Sequence, residues 1–505
     1  MPIKKINSIR LGRGMAPVKS ASSPFTPKDF SNLIFWGKPQ DLAVGTLTTV
    51  PDNSGQANDA SQSTVASKPA IITTGIGTKN AIDFDGTDDY LSCNNLAPII
   101  DGNDQAWSIH FAFKADVTGV TQVIFSLGDA VNTKQYMWFA ALSTGGYRFA
   151  KQNDDPNRVN VDFGTSDTLE HVVSIIHKGT TTDIWFDGLK VADGAAQDTP
   201  TITASLFSFG AFVRNTVANY FNGKLGEVAV YSRANTDAEV GAIHRYLAAG
   251  WVSAVPTTID LIMGAGQSNM EGRGLTGDAS PAVSRGVAYR YASSALTAIT
   301  GDPVGGALNA SCVPAFVNQW KTSTNHSTIY IEQATSGTAL LAAADIGNGN
   351  WKKGVGTLYT TALNEMNAAI THILAKTTFT INSKRILWAQ GEREALSING
   401  TTITAALYQA GLEELVDNFD ADVTGGINHF HIFELGAHNL GTGETDWAAI
   451  RSAQAGADAA RAKASIIFTG CKNFPAQSKM EDDFHYTRTG LNEMGTQGAI
   501  AAAAV

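Results

Sequence analysis

Between residues 259 and 470, short apolar segments alternate with longer segments that have the hydrophobic spacing of helices, at 357–376, 404–419 and 446–462. Neighbouring parallel strands need a crossover of a dozen or more residues, and helices supply it. The alternation therefore predicts an α/β three-layer sandwich, in which helices cover both faces of a five-stranded parallel sheet. The five apolar segments are IDLIMG (259–264), TIYIEQ (328–333), RILWAQG (385–391), HFHIFELG (429–436) and ASIIFTG (464–470).

The first half of the chain, residues 31–250, has a different period, because apolar and polar residues alternate in short runs. This pattern predicts strands of an antiparallel β-sandwich. Asp187-Gly188 lies between two such runs and indicates a hairpin turn, since glycine accepts a positive φ. Thr236 and Glu239 form a capping-box pattern before one helix at 237–248. The clearest strands are predicted at 108–116, 171–179, 182–194 and 223–233.

A length of 505 residues favours two or three domains. We predict the sandwich over 31–250, a linker over 251–258 (WVSAVPTT) and the α/β domain over 259–505. The segment 1–30 is basic and is expected to be flexible or to dock onto a partner. It lacks the apolar block of a secretory signal, so we expect synthesis in a cytoplasm without an export signal.

Composition excludes several classes of function. The net charge of −10 disfavours nucleic acid as a partner. No apolar run is long enough to span a membrane. The three cysteines lie far apart in the sequence, which is neither a disulfide framework nor a zinc pattern. We therefore expect no metal and no cofactor at the catalytic site.

Four stretches of the first half resemble the laminin-G-like, concanavalin-type jelly roll: AIDFDGTDDYLSC, WSIHFAFKA, IWFDGLKVADG and FNGKLGEVAVYSRANTDAEVGAIHRYL. The resemblance covers about residues 31–250. It implies a domain that binds glycans, binds calcium or spaces other domains. The aspartates that could supply oxygen ligands to Ca²⁺ are Asp83, Asp85, Asp88 and Asp89, and the alternative is that they are solvated turn residues.

In the second half, the strand IDLIMG is followed by the small residues of GAGQSNM. One interpretation is that Ser268 caps a helix, because its hydroxyl can accept from a free backbone N–H. The other is a nucleophile at the carboxyl edge of the sheet, where open α/β sheets place their sites. The nucleophile-elbow pattern G-x-S-x-G is absent, because Met270 replaces its last glycine. The stretch also fails the dinucleotide-binding fingerprint, since Asn269 replaces its third glycine.

Four blocks of the second half, over about 257–505, resemble the SGNH hydrolase superfamily and, within it, the branch of sialate O-acetylesterases and acetylxylan esterases. The blocks are GQSNM at 266–270, ATSGTALL with Gly337, WAQGERE at 388–394, and DDFHYTRTGLNEMG with Asp482 three residues before His485. Two positions differ from the sequence pattern that is common in this branch. Glu394 replaces a common aspartate, and a single glycine, Gly337, is present where Gly-Gly is frequent.

The resemblance implies a role for each matching residue. Ser268 is the nucleophile, His485 takes its proton near neutral pH, and Asp482 holds the imidazole in the right tautomer. The oxyanion would be stabilised by the N–H groups of Ser268 and Gly337 and by the amide of Gln390. Glu392 is expected to brace the loop of the third block. The residues expected to support the site or line a substrate pocket are Gln267, Asn269, Trp351 and Glu392.

We therefore predict a serine esterase that removes O-acetyl groups from a polysaccharide of a cell surface. Two alternatives are a lipase- or thioesterase-type hydrolase and a glycan-binding adhesin or tail-fibre protein whose esterase half is inactive. The domain combination and basic N-terminus suit a phage tail protein that docks into a virion and acts outside the host cell; the alternative location is cytoplasmic. Homo-oligomerisation is left open.

Overall fold

The computed structural model describes residues 24–100, 105–154, 158–196, 202–304 and 310–505. Most of the basic N-terminal segment, residues 1–23, lies outside the described residues, so its docking role stays a prediction. The rest of that segment lies against the first domain, where the Tyr231 hydroxyl donates to the Pro27 carbonyl oxygen at 2.8 Å. No helix in these ranges has the length and apolar character needed to cross a bilayer.

The first half of the chain is an antiparallel β-sandwich. It has a short helix, α1 (Ala97–Ile100), and a longer helix after the last strand, α2 (Asp237–Trp251). Its strands are β1 (Leu33–Gly37), β2 (Gly45–Thr46), β3 (Thr49–Val50), β4 (Ala60–Ser61), β5 (Ala70–Ile76), β6 (Lys79–Asp85), β7 (Leu91–Ser92), β8 (Trp107–Ala115), β9 (Gln122–Gly128), β10 (Gln135–Ala141), β11 (Tyr147–Asn153), β12 (Arg158–Phe163), β13 (Glu170–His177), β14 (Thr181–Phe186), β15 (Leu189–Ala196), β16 (Leu206–Phe209), β17 (Phe212–Val213), β18 (Val217–Ala218) and β19 (Asn222–Tyr231).

Two sheets face each other across an aromatic core. One has the order β15-β14-β13-β8-β19-β6-β5-β2, with β1 beside β19, and the other has the order β12-β11-β10-β9-β16-β7-β4-β3. Phe111 and Phe113 of β8 meet Phe139 of β10 at ring-centroid distances of 5.7 and 5.8 Å. Alternate residues of each strand therefore face the core, as the period of two in the sequence predicts.

Helix α2 covers the outer face of the first sheet and confirms the predicted capping box. The Thr236 side chain accepts from the Glu239 N–H, and the Glu239 carboxylate accepts from the Thr236 N–H. The predicted hairpin turn is also present, since Asp187 and Gly188 have φ values of 49° and 87° between β14 and β15. The helix start and the hairpin turn could both be predicted from the sequence, because each depends on a single turn of backbone.

The aspartates proposed as calcium ligands separate into two groups. Carboxylate oxygens of Asp85, Asp88 and Asp89 lie within 4.8 Å of one another. Asp83 faces Lys224 instead, with its carboxylate oxygen 3.3 Å from Nζ. The predicted set of four ligands is therefore reduced to three, and calcium binding stays a prediction.

The second half is the α/β domain. Its strands are β20 (Thr258–Gly266), β21 (Ala288–Ala292), β22 (Ala295–Ala298), β23 (Ser327–Glu332), β24 (Thr380–Ala389), β25 (His429–Phe433) and β26 (Ala464–Phe468). Its helices are α3 (Ser268–Glu271), α4 (Val313–Thr324), α5 (Leu358–Lys376), α6 (Glu392–Ala395), α7 (Ala405–Asp422), α8 (Glu444–Ala460) and α9 (Arg488–Ala502).

The sheet of this domain has the order β22-β21-β23-β20-β24-β25-β26. The five predicted strands are all present and parallel, with β20 paired to β24 from Thr258–Thr380 to Gly266–Ala389. The count of five was too low, because β21 adds in parallel beside β23 and β22 folds back antiparallel at the edge. In chain order the five predicted strands lie 2-1-3-4-5, so the connections diverge at the crevice between β20 and β24.

Helices cover both faces of this sheet, as predicted. Helices α5, α7 and α8 share one apolar cluster with the sheet, and α4 and α9 share the other. Within β20, Leu261 and Met263 belong to the first cluster and Ile262 to the second. A strand buried on both sides explains the unbroken apolar run of the sequence.

The two domains contact each other through the β14–β15 turn. The Gly188 carbonyl oxygen accepts from the Thr378 N–H at 2.8 Å, and Arg245 of α2 donates to the Thr378 carbonyl oxygen at 2.7 Å. Arg285 of the second domain pairs with Asp187, which also accepts from His171. The turn therefore carries backbone and charged contacts between the domains.

Candidate active site

Three adjacent strands end at the same edge of the sheet and bring the first three sequence blocks together. Ser268 follows β20, Gly337 follows β23, and Gln390 follows β24, while β20 lies between the other two strands. Gly266 ends β20 with a φ of +122°, and a Cβ there would lie 2.1 Å from the Ala389 carbonyl oxygen. Only glycine fits this close approach of β20 to β24, which explains the small residue before the serine.

Ser268 is the first residue of α3 and is not its cap. Gln267 occupies the N-cap position, and its side chain makes no capping bond. Among the hydrogen bonds of the described residues, none involves the Ser268 hydroxyl. The residue is 5% exposed and lines a cleft. The structure thus does not support the helix-cap interpretation and leaves the hydroxyl oxygen facing a space that a ligand can enter.

His485 and Asp482 form a close pair in the loop before α9. The His485 Nδ1 and the Asp482 Oδ2 are 2.6 Å apart, and the other Asp482 oxygen accepts from the N–H groups of Phe484 and His485. Burial alone would raise the pKa of Asp482, but these hydrogen bonds outweigh it and hold that pKa below its ordinary value. A charged Asp482 that binds Nδ1–H leaves Nε2 as the acceptor, and His485 lines the same cleft as Ser268.

Two backbone N–H groups are free at the cleft. Within the described ranges, neither the Ser268 nor the Gly337 N–H donates to a protein acceptor. Gly337 has a φ of +72°, and a Cβ there would lie 2.5 Å from the Asn348 side chain. Gly337 is therefore required by the backbone, and its free N–H is available to a ligand oxygen.

Gln390 is not brought to the cleft, which corrects its expected position as an oxyanion donor. Its amide nitrogen donates to the Thr338 carbonyl oxygen and to the Glu394 carboxylate, so both hydrogens are engaged within the protein. Glu394, the residue that departs from the branch, also accepts from the N–H groups of Leu340 and Leu341 at 2.6 and 2.9 Å. Gln390 and Glu394 therefore hold the second block beneath the site.

The supporting residues also divide between the cleft and the core. Gln267 and Glu392 line the cleft. Trp351 does not, because it is buried against Trp388 and donates its indole N–H to the Thr338 hydroxyl at 3.3 Å. Of the two roles expected for it, supporting the site or lining a pocket, its contacts under the second block suit the first. Asn269 is 1% exposed and lies behind Ser268.

The cleft has a volume of about 350 Å³, which is in the range of sites that bind small molecules. Several of its residues carry no signal in the four blocks, because a single sequence does not show which surface loops meet. Three of them do lie inside the blocks, Ser336 in the second, Arg393 in the third and Phe484 in the fourth. The residues not predicted are Arg273, Ser336, Asn348, Arg393, Leu396 and Phe484.

Two arginines line the cleft, and among the described residues only one of them pairs with a carboxylate. Arg273 pairs with Glu271 and binds the Ser336 hydroxyl. Arg393 donates to the Ser397 hydroxyl at 2.6 Å, its Nε is buried without a partner, and no carboxylate of the described residues forms a salt bridge with it. The Arg393 charge is therefore available to an anionic ligand.

Family models match one segment in each half of the chain. The family described as carbohydrate esterase, sialic acid-specific acetylesterase has a model that matches residues 258–504. The model of the concanavalin A-like lectin/glucanases superfamily matches residues 85–241. Both resemblances stated from the sequence are confirmed. No curated protein sequence matches the chain.

Solved structures are similar to part of the chain. A protein from Arabidopsis thaliana is 17% identical and covers 49% of this chain and 99% of its own, with a TM-score of 0.38. The Ruminococcus gnavus IT-sialidase CBM40, bound to alpha2,3 sialyllactose, is 17% identical and covers 32% of this chain and 95% of its own, with a TM-score of 0.28. The leech intramolecular trans-sialidase is 20% identical and covers 32% of this chain and 26% of its own, with a TM-score of 0.27.

Proposed function

Because residues 258–504 form a carbohydrate esterase domain of the sialic acid-specific acetylesterase family, we propose that this protein removes O-acetyl groups from acidic sugars of a cell-surface polysaccharide. The observation that carries the proposal is the cleft itself. It brings together a serine hydroxyl without a hydrogen bond, a histidine paired to an aspartate, and two free backbone N–H groups. These are the parts that ester cleavage through an acyl-enzyme requires.

In the proposed mechanism, the Ser268 oxygen attacks the acetyl carbonyl carbon while the Nε2 of His485 takes the hydroxyl proton. The Ser268 and Gly337 N–H groups donate to the oxyanion. As the tetrahedral intermediate collapses, the bond to the sugar oxygen breaks and His485 returns the proton to that oxygen. A water then attacks the acetyl-serine while His485 again takes a proton. The bond from the acyl carbon to the Ser268 oxygen breaks, His485 returns the proton to that oxygen, and acetate leaves. Asp482 stays ionised and stabilises the imidazolium in both steps.

The lining of the cleft favours a sugar over a long acyl chain. A lipase-type site would need a long apolar channel, whereas this cleft has serine, asparagine and arginine side chains, with Leu396 and Phe484 as its larger apolar residues. The guanidinium of Arg393, which pairs with no carboxylate among the described residues, supports a substrate that carries a carboxylate close to the ester. Planar guanidinium and carboxylate groups can form two parallel hydrogen bonds.

The experiment that tests the proposal is acetate release by the full chain from O-acetylated polysaccharides, with and without a carboxylate on the sugar. We expect free acetate, intact glycosidic bonds and a preference for the acidic polymers. Binding without acetate release would favour the adhesin alternative. Preferential cleavage of long-chain acyl esters would favour the lipase-type alternative.

Arg393 provides a more specific prediction. Arg393→Ala is expected to raise KM for an acidic O-acetylated sugar by about tenfold or more, since a hydrogen bond to a charged group contributes roughly 1.5–3 kcal/mol. The loss on a small neutral acetate ester should be much smaller. Steady-state kinetics on both substrates gives the comparison.

The control for this prediction is Arg461→Ala, which removes a guanidinium that pairs with Glu413 and Asp417 on the surface of the α/β domain, away from the cleft. Arg393→Lys should recover part of the affinity because it keeps the charge and loses the planar fork. Equal increases in KM on acidic and neutral substrates would show that Arg393 does not bind the carboxylate of the substrate.

The phage tail location is also part of our proposal. It is supported by the combination of the two domains with a basic N-terminal segment. In this view the jelly roll targets or spaces the esterase on a glycan surface, and the N-terminal segment docks to the virion. Detection of the protein in purified virions, and its loss from them when residues 1–23 are removed, would test the docking role.

A further inference from the structure

One buried side chain joins three of the four sequence blocks. Asn269, the residue after Ser268, donates from Nδ2 to the Glu392 carboxylate at 2.8 Å and to the Phe484 carbonyl oxygen at 3.0 Å. Its Oδ1 accepts from the Tyr486 N–H at 3.3 Å. Each polar atom of the amide thus has a partner, and the partners lie 123, 215 and 217 residues away in the sequence.

The two backbone partners of Asn269 lie on either side of His485. Phe484 precedes the histidine and Tyr486 follows it, so the amide of Asn269 holds the peptide groups on both sides. Asp482 contacts the imidazole ring itself and sets its rotation. Asp482 also accepts from the Phe484 and His485 N–H groups, so it holds the ring and the loop locally. Asn269 ties that loop to the residue next to Ser268.

Glu392 reinforces the orientation of the Asn269 amide. The Phe484 carbonyl oxygen can only accept and the Tyr486 N–H can only donate, so these two groups already set the positions of Nδ2 and Oδ1. The Glu392 Oε1 accepts the second hydrogen of Nδ2 and adds a contact to the third block. The Glu392 residue is 4% exposed, and its Oε2 is buried with no partner among the described residues. A buried carboxylate without a cation is costly unless its hydrogen bonds are kept, which favours a fixed geometry.

We propose that Asn269 and Glu392 act as a positioning clamp that sets the separation of Ser268 and His485. Because Asn269 is bonded covalently to Ser268 and by hydrogen bonds to both neighbours of His485, it connects the nucleophile directly to the loop that carries the base. This inference rests on the proposed roles of Ser268 and His485. Neither clamp residue exchanges a proton with substrate.

The test exchanges the amide and the carboxylate between positions 269 and 392 in the full chain. Asn269→Asp places a second acceptor against Glu392 and against the Phe484 carbonyl oxygen, and it should lower kcat on a small acetate ester by about 10²-fold or more, as a displaced base does. Adding Glu392→Gln supplies an amide that can donate to the carboxylate introduced at position 269. The double variant should recover turnover by about tenfold over Asn269→Asp, with KM near the wild-type value in every case.

Three controls separate the possible causes. Asn418→Asp makes the same chemical change on α7 outside the cleft, and thermal unfolding of each variant reports whether its fold is retained. Ser268→Ala tests the premise: if it keeps turnover, the proposed function fails. If Ser268→Ala is inactive while Asn269→Asp keeps normal kcat, or if the folded double variant is no better than Asn269→Asp, the clamp is refuted and the proposed function stands.

A second variant covers the case in which Asn269→Asp does not fold. Glu392→Ala leaves the bonds from Asn269 to the histidine loop possible and removes only the acceptor that holds the amide from the third block. It should lower kcat by about tenfold at nearly unchanged KM, which corresponds to the loss of one charge-assisted hydrogen bond. Wild-type kcat in a folded Glu392→Ala protein would overturn the proposal.

Discussion

Ser268→Ala is expected to lower kcat on a small chromogenic acetate ester by about 10⁴-fold or more, because it removes the atom that attacks the carbonyl carbon. The hydroxyl of Ser268 makes no hydrogen bond in the described structure, so its removal should leave the unfolding temperature nearly unchanged. The measurement is initial-rate kinetics of the full chain, with thermal unfolding followed in parallel.

Ser336→Ala is the matched control for this prediction, because Ser336 lines the same cleft and loses the same atom. Its hydroxyl binds Arg273 and Glu271 and is not placed to attack the ester. A loss of less than about tenfold is expected there, in line with one hydrogen bond. Near-normal turnover of Ser268→Ala, or equal losses in both variants, would remove Ser268 from the mechanism.

Gly188→Val is expected to destabilise the protein by roughly 2–5 kcal/mol. A Cβ at this position would lie 2.3 Å from the Phe379 ring of the second domain, and the residue has a φ of +87°. Overpacking of this kind costs about 1–3 kcal/mol, and a left-handed backbone with a side chain costs roughly 1–2 kcal/mol more. Urea unfolding monitored by tryptophan fluorescence would measure the change.

Gly194→Val separates the two contributions. Gly194 also has a left-handed φ, +64°, but a Cβ there meets no atom of the described residues within 4 Å. It should show the backbone cost alone, so Gly188→Val should be less stable by about 1–3 kcal/mol. Equal destabilisation in the two variants would show that the β14–β15 turn does not pack tightly between the domains.

The fold was largely predictable because its signals are local. Strand alternation, the Asp187-Gly188 turn and the helix cap at Thr236 each occupy a short stretch of sequence. Helix α9 was missed because it contains three glycines, which are poor helix formers. Packing explains the glycine at position 495. A Cβ there would lie 2.2 Å from the Cys312 carbonyl oxygen, so glycine allows α9 to approach α4 closely.

The candidate site could be predicted from the sequence only at positions where the residue type itself indicates a chemical role. The structure brings Ser268, Gly337 and His485 to one cleft, with Asp482 bonded to His485, and their catalytic roles stay predictions. The engaged amide of Gln390 and the clamp at Asn269 depend on contacts between residues far apart in the sequence. The edge strands β21 and β22 were missed for a similar reason, since they are short and are defined by pairing to neighbours and not by a long apolar run.

The most direct test of the account is the labelling of the full chain with an organophosphonate that reacts with catalytic serines, followed by peptide mapping. We predict that Ser268 alone is labelled, that esterase activity falls in proportion to the label, and that an O-acetylated acidic polysaccharide slows both. Label on a different residue, or ester hydrolysis that persists after complete labelling of Ser268, would contradict the account.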